Sequence, residues 1–255
     1  MFALFRDWWD RRIIQKSEIP EALWRDTFLR LPILDRLSDN EKDRLRQIAI
    51  LLLHQKSLTG VQGLHLTDDM KLLIVLQASL PVLNLGTEWY CGWVSIIVYP
   101  DSFIPQRTMT DEAGVVHQNR TVLSGESWQR GPVILAWDEV EPAGIEDGSN
   151  LVIHEFVHKL DMLNGVANGF PPLHAGMDRQ SWSQTFAAAY QDLNDRINVG
   201  KTTVIDNYAA TSPAEFFAVL SEVFFEKPDQ LLSEYPDVYQ HMIEFFRQDP
   251  LQIDN

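Results

Sequence analysis

Apolar positions along the chain change period twice, dividing it into helices, strands and helices again. Ser38-Asp39-Asn40-Glu41 has capping-box spacing and opens an apolar run through Leu45, Ile48, Ala49, Leu52 and Leu53 at helical intervals. Thr67 reads as the N-cap of a further helix from Asp68 to about Ala78, with acids in its first turn and Pro81 to close it. Then β-branched and aromatic residues gather between turn residues. Trp93–Tyr99, Val115–Leu123 and Pro132–Val140 are the three strands this predicts.

Helical spacing returns after Asp147-Gly148-Ser149-Asn150. Leu151–Leu163 forms one helix and stops at Asn164-Gly165. Trp182, Phe186, Ala189, Tyr190, Leu193 and Ile197 line one face of another. Ser212-Pro213 opens a third that runs to Glu226, with Pro228 beyond it. The fold class is α+β, with a small mixed sheet between helical regions. Repeats and low-complexity segments are absent from the sequence. The organisation expected is a helical N-terminal region, residues 1–62, packed on a core of residues 63–255.

Composition sets limits on partners. Hydrophobic residues make up 45% of the chain, enough for a real core. With 21 basic and 36 acidic residues the net charge is −15, which repels phosphate backbones and anionic membranes, so neither nucleic acid nor membrane is an expected partner. Cys91 is the single cysteine, so no intrachain disulfide forms. Neither a signal-peptide pattern at the N-terminus nor an apolar run of about 18 residues is present, and a cytoplasmic location is expected.

The chemistry concentrates at His154-Glu155-Phe156-Val157-His158. On a helix, positions i and i+4 share a face with Cβ atoms about 5–6 Å apart, so His154 and His158 offer two imidazoles to one cation. Zinc accepts such nitrogens and, in catalytic sites, keeps a position for water. Glu155 is placed to take a proton from that water as it attacks a carbonyl, which is the pattern of a metal-dependent peptidase. The competing reading is two core histidines with an incidental glutamate between them. A third ligand is not given by the usual extension of the motif, because Asp161 and Asn164 stand where a Gly and a His would be needed. A glutamate from a later helix remains, and spacing leaves Glu215 and Glu222 both open, with Glu215 marginally ahead. Glu215 would otherwise be the N3 residue of a capping box, and Glu222 a charge at the margin of an apolar face. Glu226, at the helix end, is expected to be solvated.

The motif followed by Lys159-Leu160-Asp161 resembles the Mlc titration factor A family of bacterial metallopeptidases. So do Gly63-Leu-His-Leu-Thr67, the strand Gly131–Val140 and the stretch Tyr208…Glu215-Phe-Phe-Ala-Val219, and the likeness covers nearly the whole chain. It implies a zincin-like catalytic domain related in fold to that of anthrax lethal factor, with one Zn(2+) per chain held by His154, His158 and Glu215. It further implies Glu155 as general base and Tyr208 as donor to the developing oxyanion; without the family, Tyr208 reads as a packing residue. Aminopeptidase-type cleavage of a peptide substrate is implied, as is binding of the glucose-responsive repressor Mlc. By the same resemblance Pro132–Val140 would be an edge strand that pairs with extended substrate. The alternative from another class is a non-catalytic, repressor-sequestering protein that retains a zinc site.

Several residues have two readings. Asp161 would fix the tautomer of a ligand imidazole or lie exposed on its helix. His174 and His241 fall outside ligand spacing, His54, His65 and His117 have no acidic or histidine partner nearby in sequence, and Cys91 is expected to be a small buried residue. The aromatic cluster Phe2, Phe5, Trp8 and Trp9 would either form an interaction surface or, as expected, pack against the core.

Overall fold

The computed structural model describes residues 2–101, 107–110, 116–119, 125–127, 131–142 and 147–252. In chain order the first elements are α1 (Phe2–Gln15), α2 (Glu21–Phe28), α3 (Asp39–Gln55), β1 (Ser57–Gly60), α4 (Asp68–Ser79) and β2 (Ser95–Tyr99). Strands β3 (Arg107–Thr110), β4 (Val116–Asn119), β5 (Gly125–Ser127) and β6 (Val133–Ala136) follow. A short helix α5 (Trp137–Val140) and then α6 (Leu151–Asp161), α7 (Arg179–Asn198), α8 (Pro213–Glu226), α9 (Pro228–Glu234) and α10 (Pro236–Phe246) complete the chain.

The helix starts follow from local chemistry. At α3, Ser38 and Glu41 form the reciprocal capping box, the Ser38 N–H donating to Glu41 Oε2 at 2.9 Å. At α4 the Met70 N–H donates to Thr67 Oγ1 at 3.2 Å, satisfying one of the orphan amides of the first turn. Helix α8 is buried along nearly its whole length, because Phe216, Phe217, Phe224 and Phe225 project on different sides of it. Trp182 and Phe186 of α7 stack at 4.2 Å between ring centroids, and Phe217 and Phe245 meet Trp182 edge-on.

The main sheet has the order β1-β2-β6-β5, with β1, β2 and β6 parallel and β5 antiparallel to β6. β3 and β4 form a separate antiparallel pair. All four residues of β6 are buried, as a central strand requires, while β2 alternates, burying Ile96 and Val98. Helix α6 packs against β5 and β6 on one side and against α4 and α8 on the other. That packing buries the whole 154–158 segment.

The structure revises several expectations. The strand expected over Pro132–Val140 ends at Ala136, and its second half is α5. Nor is it an edge: β6 lies between β2 and β5, so among the described residues the outer strand on that side is β5. β1 went unread because Ser57-Leu-Thr-Gly60 is too short to show alternation, and it pairs with β2 from the N-terminal side of residue 62. Within Val115–Leu123 the structure describes only 116–119; residues 115 and 120–123 lie outside the described residues. The side chain of His117 also lies outside them.

Candidate metal centre

The Asn150 side chain caps α6, its Oδ1 accepting from the Ile153 N–H at 3.0 Å. The helix then carries His154 and His158 on one face, both buried. Ser212 caps α8 from the other side, accepting from the Glu215 N–H at 3.2 Å, and Pro213 occupies the first turn. The Glu215 carboxylate turns to the histidines. Its Oε2 lies 2.9 Å from His154 Nε2 and 3.2 Å from His158 Nε2, and the two Nε2 atoms are 3.1 Å apart. Among the described residues these three form the group of ligand-type side chains whose donor atoms lie within 4.8 Å of one another.

Behind this cluster, His154 Nδ1 lies 2.7 Å from Glu222 Oε1. A proton on Nδ1 satisfies that bond and leaves the Nε2 lone pair facing Glu215 and His158. With His158 Nε2 likewise unprotonated, two imidazole nitrogens and a carboxylate oxygen converge with no donor between them. Such an arrangement is repulsive unless a proton or a cation occupies the gap. Two nitrogens and one oxygen are a donor set that suits a divalent metal ion.

The electrostatics agree with that reading. Burial alone would lower the His154 pKa, but the carboxylates of Glu222 and Glu215 outweigh it and hold the group well above its ordinary value. Burial would raise Glu215, yet its bonds to the two histidines take it far below the usual carboxylate range. Glu155 is 3% exposed and raised by burial, although the neighbouring histidines pull the other way. Its Oε2 is fully buried without a hydrogen-bond partner, an arrangement that costs stability and that folding alone does not account for.

Tyr208 sits in a 3-10 turn, Asn207–Ala210, with its ring centroid 6.0 Å from that of His154. It is 45% exposed, so it stands at the mouth of the cluster. Burial of the hydroxyl and the nearby Glu215 and Glu155 carboxylates push its pKa up to about 12. At neutral pH it keeps its proton.

The other candidates lie elsewhere or act differently. Asp161 is fully buried and meets neither expectation: it accepts from the N–H groups of Asn168 at 2.8 Å, Gly169 at 2.7 Å and Phe170 at 3.0 Å, tying down the segment after α6. Glu226 is buried, not solvated, and accepts from Asn150 Nδ2 at 2.9 Å. His174 bonds the Phe245 carbonyl oxygen at 2.8 Å, and His241 lies 3.2 Å from Ser181 Oγ, so both are structural. Cys91 is exposed, correcting its expected burial. Trp8 and Trp9 are also exposed; Phe2 and Phe5 have side chains outside the described residues. Two polar residues escaped sequence reasoning: Gln77, inside the apolar run of α4, whose Oε1 accepts from Asn150 Nδ2 at 2.9 Å, and Asn150 as more than a cap. The one signal was a lone polar side chain at a core position.

A histidine pair on α6, a glutamate from α8 and a buried glutamate beside them have the make-up of a metallopeptidase centre. The chain as a whole agrees with its centre: residues 5–247 match the family of glucose-regulated metallo-peptidases M90, and the chain belongs to that family. It is 43% identical over 246 residues to Mlc titration factor A of Serratia proteamaculans (strain 568), covering 95% of this chain and 93% of the relative. The protein of that name from Yersinia enterocolitica (serotype O:8 / biotype 1B) is 43% identical over 233 residues, 90% of this chain and 86% of the relative. The one from Yersinia pestis (strain Pestoides F) is 42% identical over the same length.

Proposed function

We propose that this protein is a zinc-dependent peptidase of zincin-like fold, with one zinc ion held by His154, His158 and Glu215. The observation that carries the reading is the convergence of those three donor groups beside the buried, unpartnered Glu155 Oε2. A zinc ion in such a set would supply a Lewis acid and a water of pKa about 7. Glu155, its pKa raised by burial, takes a proton from the attacking water and passes it to the leaving amine. Tyr208 stays protonated and donates to the carbonyl oxygen as negative charge develops there. An extended peptide would add to the outer edge of β5, which packs on α6 beside the centre. Aminopeptidase-type cleavage is the specificity to assay first, and the acidic surface suits a cationic amino terminus.

The test is Glu155→Gln. It should keep stoichiometric zinc, measured by elemental analysis, and lose hydrolysis of chromogenic aminoacyl and peptide substrates by roughly 10²–10⁴-fold. Full activity in this variant would overturn the mechanism.

A second activity, binding of the repressor Mlc, is favoured by the name its relatives carry and by the exposed Trp8–Trp9 pair on α1, with ring centroids 6.0 Å apart. Adjacent exposed tryptophans are frequent anchors of protein interfaces. Retention of repressor by His154→Ala, with loss on replacing both tryptophans by Ala, would establish a surface independent of catalysis. Unchanged capture by the tryptophan variant would remove α1 from that role.

A further inference from the structure

Glu222 stands seven residues after Glu215 on α8, two turns along, and is buried. Its two oxygens do different things. Oε1 faces His154 Nδ1 at 2.7 Å, and Oε2 accepts from the Asn150 N–H at 2.5 Å. The Asn150 N–H is a donor, and a carboxylate that accepts from it through one oxygen offers His154 Nδ1 an acceptor through the other. Asn150 is at the same time the N-cap of the helix that carries His154, and its Nδ2 donates to Gln77 on α4 and to Glu226 on α8, each at 2.9 Å. The first turn of α6 is thus fixed from two neighbouring helices, and the His154 ring is fixed with it. The other histidine differs: His158 Nδ1 is buried, with no hydrogen-bond partner among the described residues.

We infer that Glu222 is a positioning residue that holds His154 as the Nδ1–H tautomer, so that His154 is the preset ligand of the pair and His158 the adaptable one. The inference rests on the metal-site reading above. A carboxylate behind a ligand imidazole sets its tautomer and orientation and raises its basicity, and loss of such a partner typically weakens metal binding by about 10–100-fold. Nothing in the sequence spacing distinguishes the two histidines; the asymmetry comes from what α8 brings behind one of them.

The decisive variant is Glu222→Gln. Its carboxamide has one acceptor for two donors, so its NH₂ group must face either the Asn150 N–H or His154 Nδ1. Facing Nδ1 it would favour the wrong tautomer. Zinc affinity, measured by competition with a chromophoric chelator, should weaken by about 10–100-fold while circular dichroism shows the fold retained. Nitrogen-15 NMR of the zinc-loaded wild-type protein, with labelled histidine, should show a slowly exchanging Nδ1–H on His154 and a faster one on His158. In Glu222→Gln the His154 signal should exchange fast or disappear, which a purely structural role would not produce. The wild-type spectrum alone decides the matter if the variant does not fold: equal exchange at the two histidines overturns the inference. His154→Ala and Glu215→Ala separate the two levels of argument. If both still bind zinc as the wild type does, the metal site itself is misassigned. If both lose it while Glu222→Gln binds with wild-type affinity, only the role of Glu222 falls.

Discussion

Tyr208 shows how the chemistry of a single side chain is set by its surroundings. Its hydroxyl lies close to two carboxylates, those of Glu215 and Glu155, and the raised pKa they help to produce makes it a proton holder and hydrogen-bond donor across the physiological range. Substitution by Phe removes only the donor. It should lower kcat by about 10²–10³-fold, the usual cost of one oxyanion donor, with zinc content and thermal midpoint unchanged. A loss confined to KM would show instead that Tyr208 contacts substrate in the ground state. At this scale the sequence was partly legible. The four-residue spacing put His154 and His158 on one face, and the structure brings Glu215 to them. Spacing alone did not separate Glu215 from Glu222, because both lie on the same stripe of α8 and only its docking against α6 sends one to the front of the cluster and the other behind it. Glu226, Cys91 and the two tryptophans were misjudged for a related reason. Burial belongs to the packed molecule, and a local pattern carries little of it.

At the scale of elements, the caps were the most readable feature. Ser38, Thr67, Asn150 and Ser212 each begin a helix where their side chains satisfy first-turn amides. The limits of β6 were not readable, since Trp137-Asp-Glu-Val140 looks strand-like by composition and turns helical after Ala136. More consequential is a contact no pattern suggests. Asp161, at the end of α6, holds the Gly169 N–H, and Gly169 adopts φ +75° where a Cβ would come within 2.4 Å of the Pro213 carbonyl oxygen. Pro213 is in the first turn of α8, two residues before Glu215. The segment after α6 is therefore pressed against the turn that positions the glutamate. Gly169→Ala adds both backbone strain and a clash with main chain, which has no flexible side chain to yield. It should destabilise the fold by about 1–3 kcal/mol and weaken metal binding as well. If the thermal midpoint falls and zinc affinity holds, the loop serves stability alone and does not set the position of α8.

For the whole molecule, protonation would compete with the proposed metal for one centre. Among the described residues no helix is long and apolar enough to cross a membrane, and the chain carries a net charge of −15. Without metal, burial would lower the His154 pKa, but the Glu222 and Glu215 carboxylates hold it well above 6.5. A group raised in the folded state contributes stability that is fully present below its unfolded value, about 6.5 for histidine, and is lost as pH climbs through the folded value. The metal-free protein should therefore lose stability as pH rises from 6.5. Metal binding runs the opposite way, because a ligand imidazole must be neutral and binding releases its proton. Stabilisation by a ligand grows as RT ln(1 + [L]/Kd), about 2.7 kcal/mol at a hundredfold excess over Kd, or roughly 5–10 °C for a chain of this length. The gap between the thermal midpoints of zinc-loaded and chelator-stripped protein should consequently widen from pH 6 to pH 8.5, because the apparent Kd falls as His154 gives up its proton more easily. In His154→Ala the gap should be small at every pH. A gap that is constant or narrows as pH rises would mean that His154 does not exchange its proton for the metal, and the ligand set would have to be drawn without it.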